Sequence, residues 1–257
     1  MILAGDIGGT KTQLGLFESG IPIRPIRKAI FPSQSYNGLD EIIREFIPGL
    51  VDPLDAACFG VAGPIVNGDC ITTNLPWNVR SASIAALLGL KSTRLLNDLE
   101  AFGYGIPLLA PDEFCTLNDG EAQSGNAGII AAGTGLGEAS MIWDGRRHIP
   151  SASEGGHVDF APRNELEIEL LRFMLKQFER VSIERLVSGP GLVYIYDFLL
   201  SAGYGKESAA ISQKSLEQDA SSVISAAALA EEDELSMRAL DLFVSLYGAT
   251  AGNLALT

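Results

Sequence analysis

Gly128-Ile129-Ile130-Ala131-Ala132-Gly133-Thr134-Gly135-Leu136-Gly137-Glu138-Ala139-Ser140 reads as strand, glycine-rich turn, strand. The chain opens on the same pattern, Met1-Ile2-Leu3-Ala4-Gly5-Asp6-Ile7-Gly8-Gly9-Thr10-Lys11-Thr12. At one constant offset Gly5 falls on Gly133, Gly9 on Gly137 and Thr12 on Ser140. Each turn offers backbone N–H groups and a hydroxyl, Thr10 or Thr134, with no bulky side chain in the way, which suits phosphate oxygens. Two such hairpins in two halves predict a phosphate chain gripped by two related α/β domains.

At 257 residues there is room for two compact domains, and 47% apolar against 19% charged residues is an ordinary globular composition. A formal net charge of −14 leaves no basic stripe for a nucleic-acid backbone. The one basic cluster, Arg24, Arg27 and Lys28, is broken by proline and reads as a solvated strand edge. Cys58, Cys70 and Cys115 are isolated, so neither a zinc knuckle nor a disulfide framework is expected. No apolar run reaches membrane-spanning length, and the N-terminus enters a strand without a basic leader. The expected setting is a reducing cytoplasm, with no membrane and no nucleic-acid partner.

Apolar stretches punctuated by Gly and Pro predict an antiparallel meander over 1–5, 12–18 and 22–31. Leu39, Ile42, Ile43, Phe46 and Ile47 recur at helical spacing and predict an amphipathic helix over 38–47. Residues 56–62 predict a buried strand, Ser81 caps a helix ending at Leu88, and Leu95 and Leu96 close a strand that ends in Asn97-Asp98. The resulting βββαβαβ order puts a polar dipeptide at a strand end, where open α/β sheets bind ligands. In the second half, strands are expected over 128–132 and 138–143. Asn164 and Glu167 form a capping box ahead of a helix to about Arg180. A helix follows over 191–201, then a polar, helix-tolerant stretch over 206–232 and a long helix from Asp233. Residues 104–120, rich in Pro, Gly and Asp, mark the boundary, giving a smaller domain over 1–107 and a larger one over 108–257.

The common nucleotide signatures are absent. There is no P-loop, and Gly133-Thr134-Gly135-Leu136-Gly137 opens into a strand rather than a helix, which argues against a dinucleotide fold. Asp6 within the first turn would repel phosphate unless Mg²⁺ or water lies between them. Alone it would read as an Asx-type turn; the second hairpin favours the metal-linked role. Asn97-Asp98 reads equally as a helix cap, and both residues serve well there. Trp77 beside Pro76 reads as packing. Glu154 and His157 have the spacing of metal ligands on a helix, but the two intervening glycines disfavour a helix. Carboxylate, imidazole and open backbone suit sugar hydroxyls better. Glu184 alone reads as a solvated charge.

Six segments occur in order: Gly5-Asp6-Ile7-Gly8-Gly9-Thr10; Thr73-Asn74 followed by Trp77; Leu96-Asn97-Asp98; Ala132-Gly133-Thr134-Gly135-Leu136-Gly137; Glu154-Gly155-Gly156-His157-Val158-Asp159-Phe160; and Ser188-Gly189-Pro190-Gly191-Leu192. Together they closely resemble the bacterial ATP-dependent glucokinases, over essentially the whole chain. The resemblance implies a two-domain actin-like ATPase fold, with a ribonuclease-H-like core in each half and a ligand cleft between the domains. It implies ATP-dependent phosphorylation of glucose to glucose 6-phosphate, the first step of glycolysis, with ATP and Mg²⁺. It assigns Asp98 as catalytic base and Asn97, Glu154, His157 and Glu184 as glucose ligands. The turns holding Gly5, Asp6, Gly8, Gly9 and Thr10, and Gly133, Thr134, Gly135 and Gly137, become the phosphate loops, with Asp6 reaching Mg²⁺ through water. The cysteine-rich zinc motif of the related repressor/kinase group is absent, which points to the zinc-free branch.

Family members continue past the counterpart of Thr257 with a strand, a glycine-rich segment that holds the adenosine and a closing helix. The larger domain is therefore expected to be incomplete at its C-terminus, and a homodimer is a candidate assembly. Two alternatives stand beside glucokinase: a kinase for another hexose or amino sugar, and a non-catalytic sugar-binding regulator.

Overall fold

The computed structural model describes the chain except for residues 21–22, 50–51, 73–74, 122 and 207. Thr73-Asn74 of the resemblance thus lie outside the described residues. Two compact units are formed, Met1–Glu121 and Ala122–Thr257.

In the first unit β1 (Ile2–Ile7), β2 (Lys11–Phe17) and β3 (Pro25–Pro32) form the expected antiparallel meander. α1 (Leu39–Phe46) follows, with Leu39, Ile42, Ile43 and Phe46 all buried on one face. β4 (Ala56–Val61) then pairs parallel to β1, and β8 (Arg94–Asn97) parallel to β4. The order β3-β2-β1-β4-β8 is a ribonuclease-H-like core. Between β4 and β8 the sequence reading missed a second small sheet of β5 (Ile65–Val66), β6 (Asp69–Ile71) and β7 (Asn78–Arg80). These strands are too short for period-2 alternation to reveal them. Trp77 is buried there and its indole N–H donates to the Tyr36 carbonyl at 3.1 Å. α2 (Ser81–Leu88) starts on Ser81 itself, so Ser81 does not cap it; Arg80 holds the cap position without a side-chain bond. α3 (Asp98–Gly105) leaves the end of β8.

Leu3, Ile7, Leu14, Ile42, Ile43 and Phe59 are almost wholly buried in this unit. Burying each such side chain contributes about 1.5–3 kcal/mol. Arg27 is not the solvated edge charge expected. Its guanidinium lies 4.4 Å from the Phe46 ring centroid and donates to the Phe46 and Pro48 carbonyls, clamping β3 to the end of α1.

In the second unit β9 (Ala127–Ala132), β10 (Leu136–Trp143) and β11 (His148–Ser153) repeat the meander, in the order β11-β10-β9. α4 (Glu165–Met174) is capped by Asn164, whose side chain accepts from the Glu167 amide at 3.0 Å. The expected box is altered: the Glu167 carboxylate accepts from the Arg163 backbone amide and guanidinium and from the Asn164 side-chain amide, rather than from the Asn164 backbone amide. The helix also stops at Met174, short of Arg180, because 181–183 turn away to pair with 158–160. α5 (Gly189–Ser201) is capped by Ser188. The polar stretch folds as α6 (Ala209–Glu217) and α7 (Ala220–Leu229), and Asp233 caps α8 (Glu234–Leu254). Leu170, Met174, Leu186, Ile195 and Leu235 form the fully buried centre of this unit.

The constant-offset repeat is a sequence coincidence in register. The last paired residues are Ile7 and Thr12 in the first hairpin, but Ala132 and Leu136 in the second. Gly8-Gly9-Thr10 therefore corresponds to Gly133-Thr134-Gly135, and Gly5 lies within β1 rather than in a turn. A Cβ on Gly5 would meet Phe59 at 2.6 Å and Leu14 at 2.8 Å, so packing alone requires glycine there.

Candidate active site

The first hairpin tip is braced from below. Buried Thr12 and Ser33 share a hydroxyl–hydroxyl hydrogen bond of 2.9 Å, and Ser33 Oγ donates to the Gly8 carbonyl at 2.8 Å. The Gly8 amide donates to the Lys11 carbonyl at 3.0 Å, and the Thr10 carbonyl accepts from the Ser33 amide. Gly8 N–H is thus committed to the turn, whereas the Gly9 and Thr10 amides have no hydrogen bond among the described residues. Asp6 is not in the turn as expected but one residue from the end of β1, paired with Gln13 and Gly60.

Asn97 and Asp98 stand where β8 becomes α3. Asn97 is the helix cap: its Oδ1 accepts from the Leu99 and Glu100 amides, and its Nδ2 reaches the Gly63 carbonyl at 3.5 Å. The amide nitrogen is the part of Asn97 with donor capacity to spare. Asp98 accepts from the Leu99 amide at 2.9 Å through one oxygen. Asp6 is raised above the ordinary carboxylate range, first by desolvation and then by the charge on Asp98. It nevertheless keeps an exposed surface, so water still reaches it. Buried Cys70 is raised by the same two causes in the same order.

The second unit gathers residues far apart in sequence. Val158 and Phe160 exchange backbone hydrogen bonds with Ile183 and Val181, around a bridge between Asp159 and Ser182. That pairing carries Glu184 to His157. Glu154-Gly155-Gly156-His157 is one 3-10 turn over Gly155–His157, so Glu154 and His157 meet across it. His157 Nε2 lies 3.7 Å from Glu154 and Nδ1 lies 3.7 Å from Glu184, beyond hydrogen-bond length. The side chains of Glu154 and His157 are 67% and 57% exposed, leaving their polar atoms open to a ligand. Arg180 holds the turn from behind, donating to the His157 carbonyl and the Asp159 carboxylate, each at 2.6 Å.

The same turn lies directly on β10. A side chain on Gly155 would collide with the Glu138 carboxylate, and one on Gly156 with the Leu136 carbonyl. Glu138 is 93% buried and raised by desolvation. At the second hairpin tip the Gly133 amide turns inward to the Gly135 carbonyl, and the Gly133 carbonyl accepts from the Gly189 amide, both at 2.8 Å. Gly137 is a strand residue paired with Ala131. The amides of Thr134 and Gly135 make no hydrogen bond among the described residues.

Sequence reasoning missed Ser33, Arg180, Glu138 and the Gly189 amide. Glu138 and Gly189 lie within quoted segments; Ser33 and Arg180 carried no signal. No helix among the described residues is long and apolar enough to cross a membrane.

The glucokinase family model matches residues 3–257. A curated glucokinase of Nostoc punctiforme is 41% identical over 273 residues, covering 100% of this chain and 80% of its own. The solved glucokinase from an Antarctic psychrotroph superposes with a TM-score of 0.81 at 28% identity, over 99% of this chain and 78% of that one. A ROK family glucokinase from Streptomyces griseus, solved with glucose and AMPPNP, gives 0.62 at 20% identity over 99% of this chain and 78% of its own. These structures share the two-domain actin-like ATPase fold. The grouping of Glu154, His157 and Glu184, the two glycine-rich tips and the full-length family match lead to one conclusion: the chain belongs to the glucokinase family.

Proposed function

We propose that this chain transfers the γ-phosphoryl group of ATP to the 6-hydroxyl of glucose, with Asp98 as the general base. The observation that carries the reading is the open cluster of Glu154, His157 and Glu184, three hydroxyl-reading side chains held by separate backbone constraints. Two carboxylates accept hydrogen bonds, and a neutral imidazole both donates and accepts. Such a set orients a polyol and disfavours epimers, since a misplaced hydroxyl leaves unpaired the polar groups that the bound sugar covers.

Phosphoryl transfer is dominated by positioning and charge stabilisation. Asp98 accepts the hydrogen bond of the attacking hydroxyl and takes its proton as the new O–P bond forms and the bond from the γ-phosphorus to the bridging oxygen breaks, releasing ADP. Asn97 Nδ2 donates to the same sugar edge. The free amides of Gly9, Thr10, Thr134 and Gly135 and the two threonine hydroxyls hold phosphate oxygens.

The donors beside Asp6 fit Mg²⁺. Asp6 and Asp98 share one field, and among the described residues no three ligating side chains form a protein cage. Mg²⁺ needs only one or two carboxylates when phosphates and waters supply the rest. Asp6 would hold it through water, and the cation would neutralise charge on the phosphates.

The test is to incubate the purified chain with γ-labelled ATP, Mg²⁺ and a sugar panel. Label should appear in glucose 6-phosphate, with mannose and N-acetylglucosamine far slower. Label transfer to N-acetylglucosamine or mannose in preference to glucose would replace this reading with another sugar kinase. Glucose binding without any transfer would replace it with a sugar-binding regulator.

A further inference from the structure

We propose that Glu184, besides reading the sugar, is the positioning residue of the second phosphate hairpin. The proposal rests on the sugar-site reading for its first role only. Glu184 divides its two oxygens. Oε1 faces His157 at 3.7 Å, while Oε2 accepts a hydrogen bond of 2.9 Å from the Leu136 amide, the first residue after the hairpin tip. The carboxylate also lies against Gly135: a Cβ there would stand 2.5 Å from Oε2. The Leu136 amide is bonded to the Glu184 carboxylate, and the amide of Ala132, its partner across the hairpin, donates to the Tyr247 hydroxyl. The tip Gly133-Thr134-Gly135 is therefore fixed on one side by the Gly189 amide and on the other by Glu184.

The consequence is a mechanical link inside one unit. A sugar hydroxyl that draws on Oε1 acts on the same carboxylate that sets where the Thr134 and Gly135 amides point. A hydrogen bond to a charged acceptor is strong enough for its loss to weaken phosphate binding about tenfold.

Three variants separate the two roles. Glu184→Ala removes both oxygens, Glu184→Gln keeps one acceptor for the Leu136 amide, and Glu154→Ala removes a sugar contact that does not touch the hairpin. Two readouts are taken without sugar: the Mg·ATP dissociation constant and hydrogen exchange at the Leu136 amide. A third is glucose titration. Glu184→Ala should weaken Mg·ATP about tenfold and speed Leu136 exchange, while Glu184→Gln and Glu154→Ala stay within about twofold of the parent in both. Parental Leu136 exchange or parental Mg·ATP affinity in Glu184→Ala would overturn the positioning role. If Glu154→Ala and Glu184→Ala both keep parental glucose affinity, the sugar reading fails, and the hairpin result still stands or falls on its own readouts.

Discussion

Gly60 on β4 leaves open the space over which Asp98 sits: a Cβ on Gly60 would stand 3.0 Å from the Ala101 Cβ and 3.9 Å from the Asp98 Cα. Gly60 is also the parallel partner of Asp6 on β1 and of Leu96 on β8. One missing side chain thus lets α3 settle on the sheet with the candidate base a strand away from the candidate magnesium ligand.

Gly60→Ala should push α3 outward by a few tenths of an ångström. A misplacement of about 1 Å can cost about a hundredfold, so a shift of a few tenths is expected to lower turnover about threefold to tenfold. Glucose affinity should fall much less than turnover, because Glu154, His157 and Glu184 are untouched and only the Asn97 and Asp98 contacts shift. Steady-state kinetics beside glucose calorimetry would show the split, and unchanged turnover would mean the contact is not used.

Glu167 is fully buried and tied to Arg163 through both its amide and its guanidinium, while Arg163 reaches Ser245 on α8 at 2.9 Å. Burial pushes this carboxyl up, but the hydrogen bonds and charge of Arg163, joined by Asn164, outweigh it and leave the group below the ordinary range. A lowered folded value contributes stability above the unfolded pKa, about 4.3, that is lost as pH falls through the folded value. Glu167→Ala should cost about 2–3 kcal/mol at neutral pH in urea unfolding, and its deficit should shrink in acid. A deficit that does not change with pH would remove the ion pair from the explanation.

Glu138 should behave in the opposite sense. Its carboxyl is raised by burial, so the folded state holds the proton more tightly than the unfolded state, and parental stability falls as pH rises through that window. Glu138→Gln is expected to melt higher than the parent at neutral pH. The gain should vanish below the ordinary carboxylate range. A variant less stable than the parent at neutral pH would show that the charged form has a partner role.

Much of this was legible from sequence where periodicity was long or chemistry local. The meander, α1, the Asn164 cap and α8 from Asp233 follow from spacing and capping residues. The three strands β5–β7 did not, because two or three residues show no period. Helix α4 was read too long because its apolar spacing continues toward Arg180, while the pairing of 181–183 with 158–160 is a long-range contact that propensity does not contain. The same pairing hid the meeting of Glu184 with His157, which entered the reading only through family resemblance. The two hairpins were found by composition but placed in the wrong register, since glycine at position 5 answers to Phe59 and Leu14 and not to a turn.

Glucose should protect the chain against thermal unfolding, and mannose much less. At about 100 times its dissociation constant a ligand adds about 2.7 kcal/mol. Equal melting shifts for glucose, mannose and N-acetylglucosamine would contradict an oriented hydroxyl site.

The most direct measurement pairs glucose calorimetry with glucose 6-phosphate formation in Asp98→Asn and the parent. Asparagine keeps the size and position at the start of α3 but cannot take a proton. The expected result is glucose affinity within about twofold of the parent and turnover lower by about 10²–10⁴-fold. Near-parental turnover in Asp98→Asn would contradict the assignment of the base and, with it, the proposed mechanism of transfer.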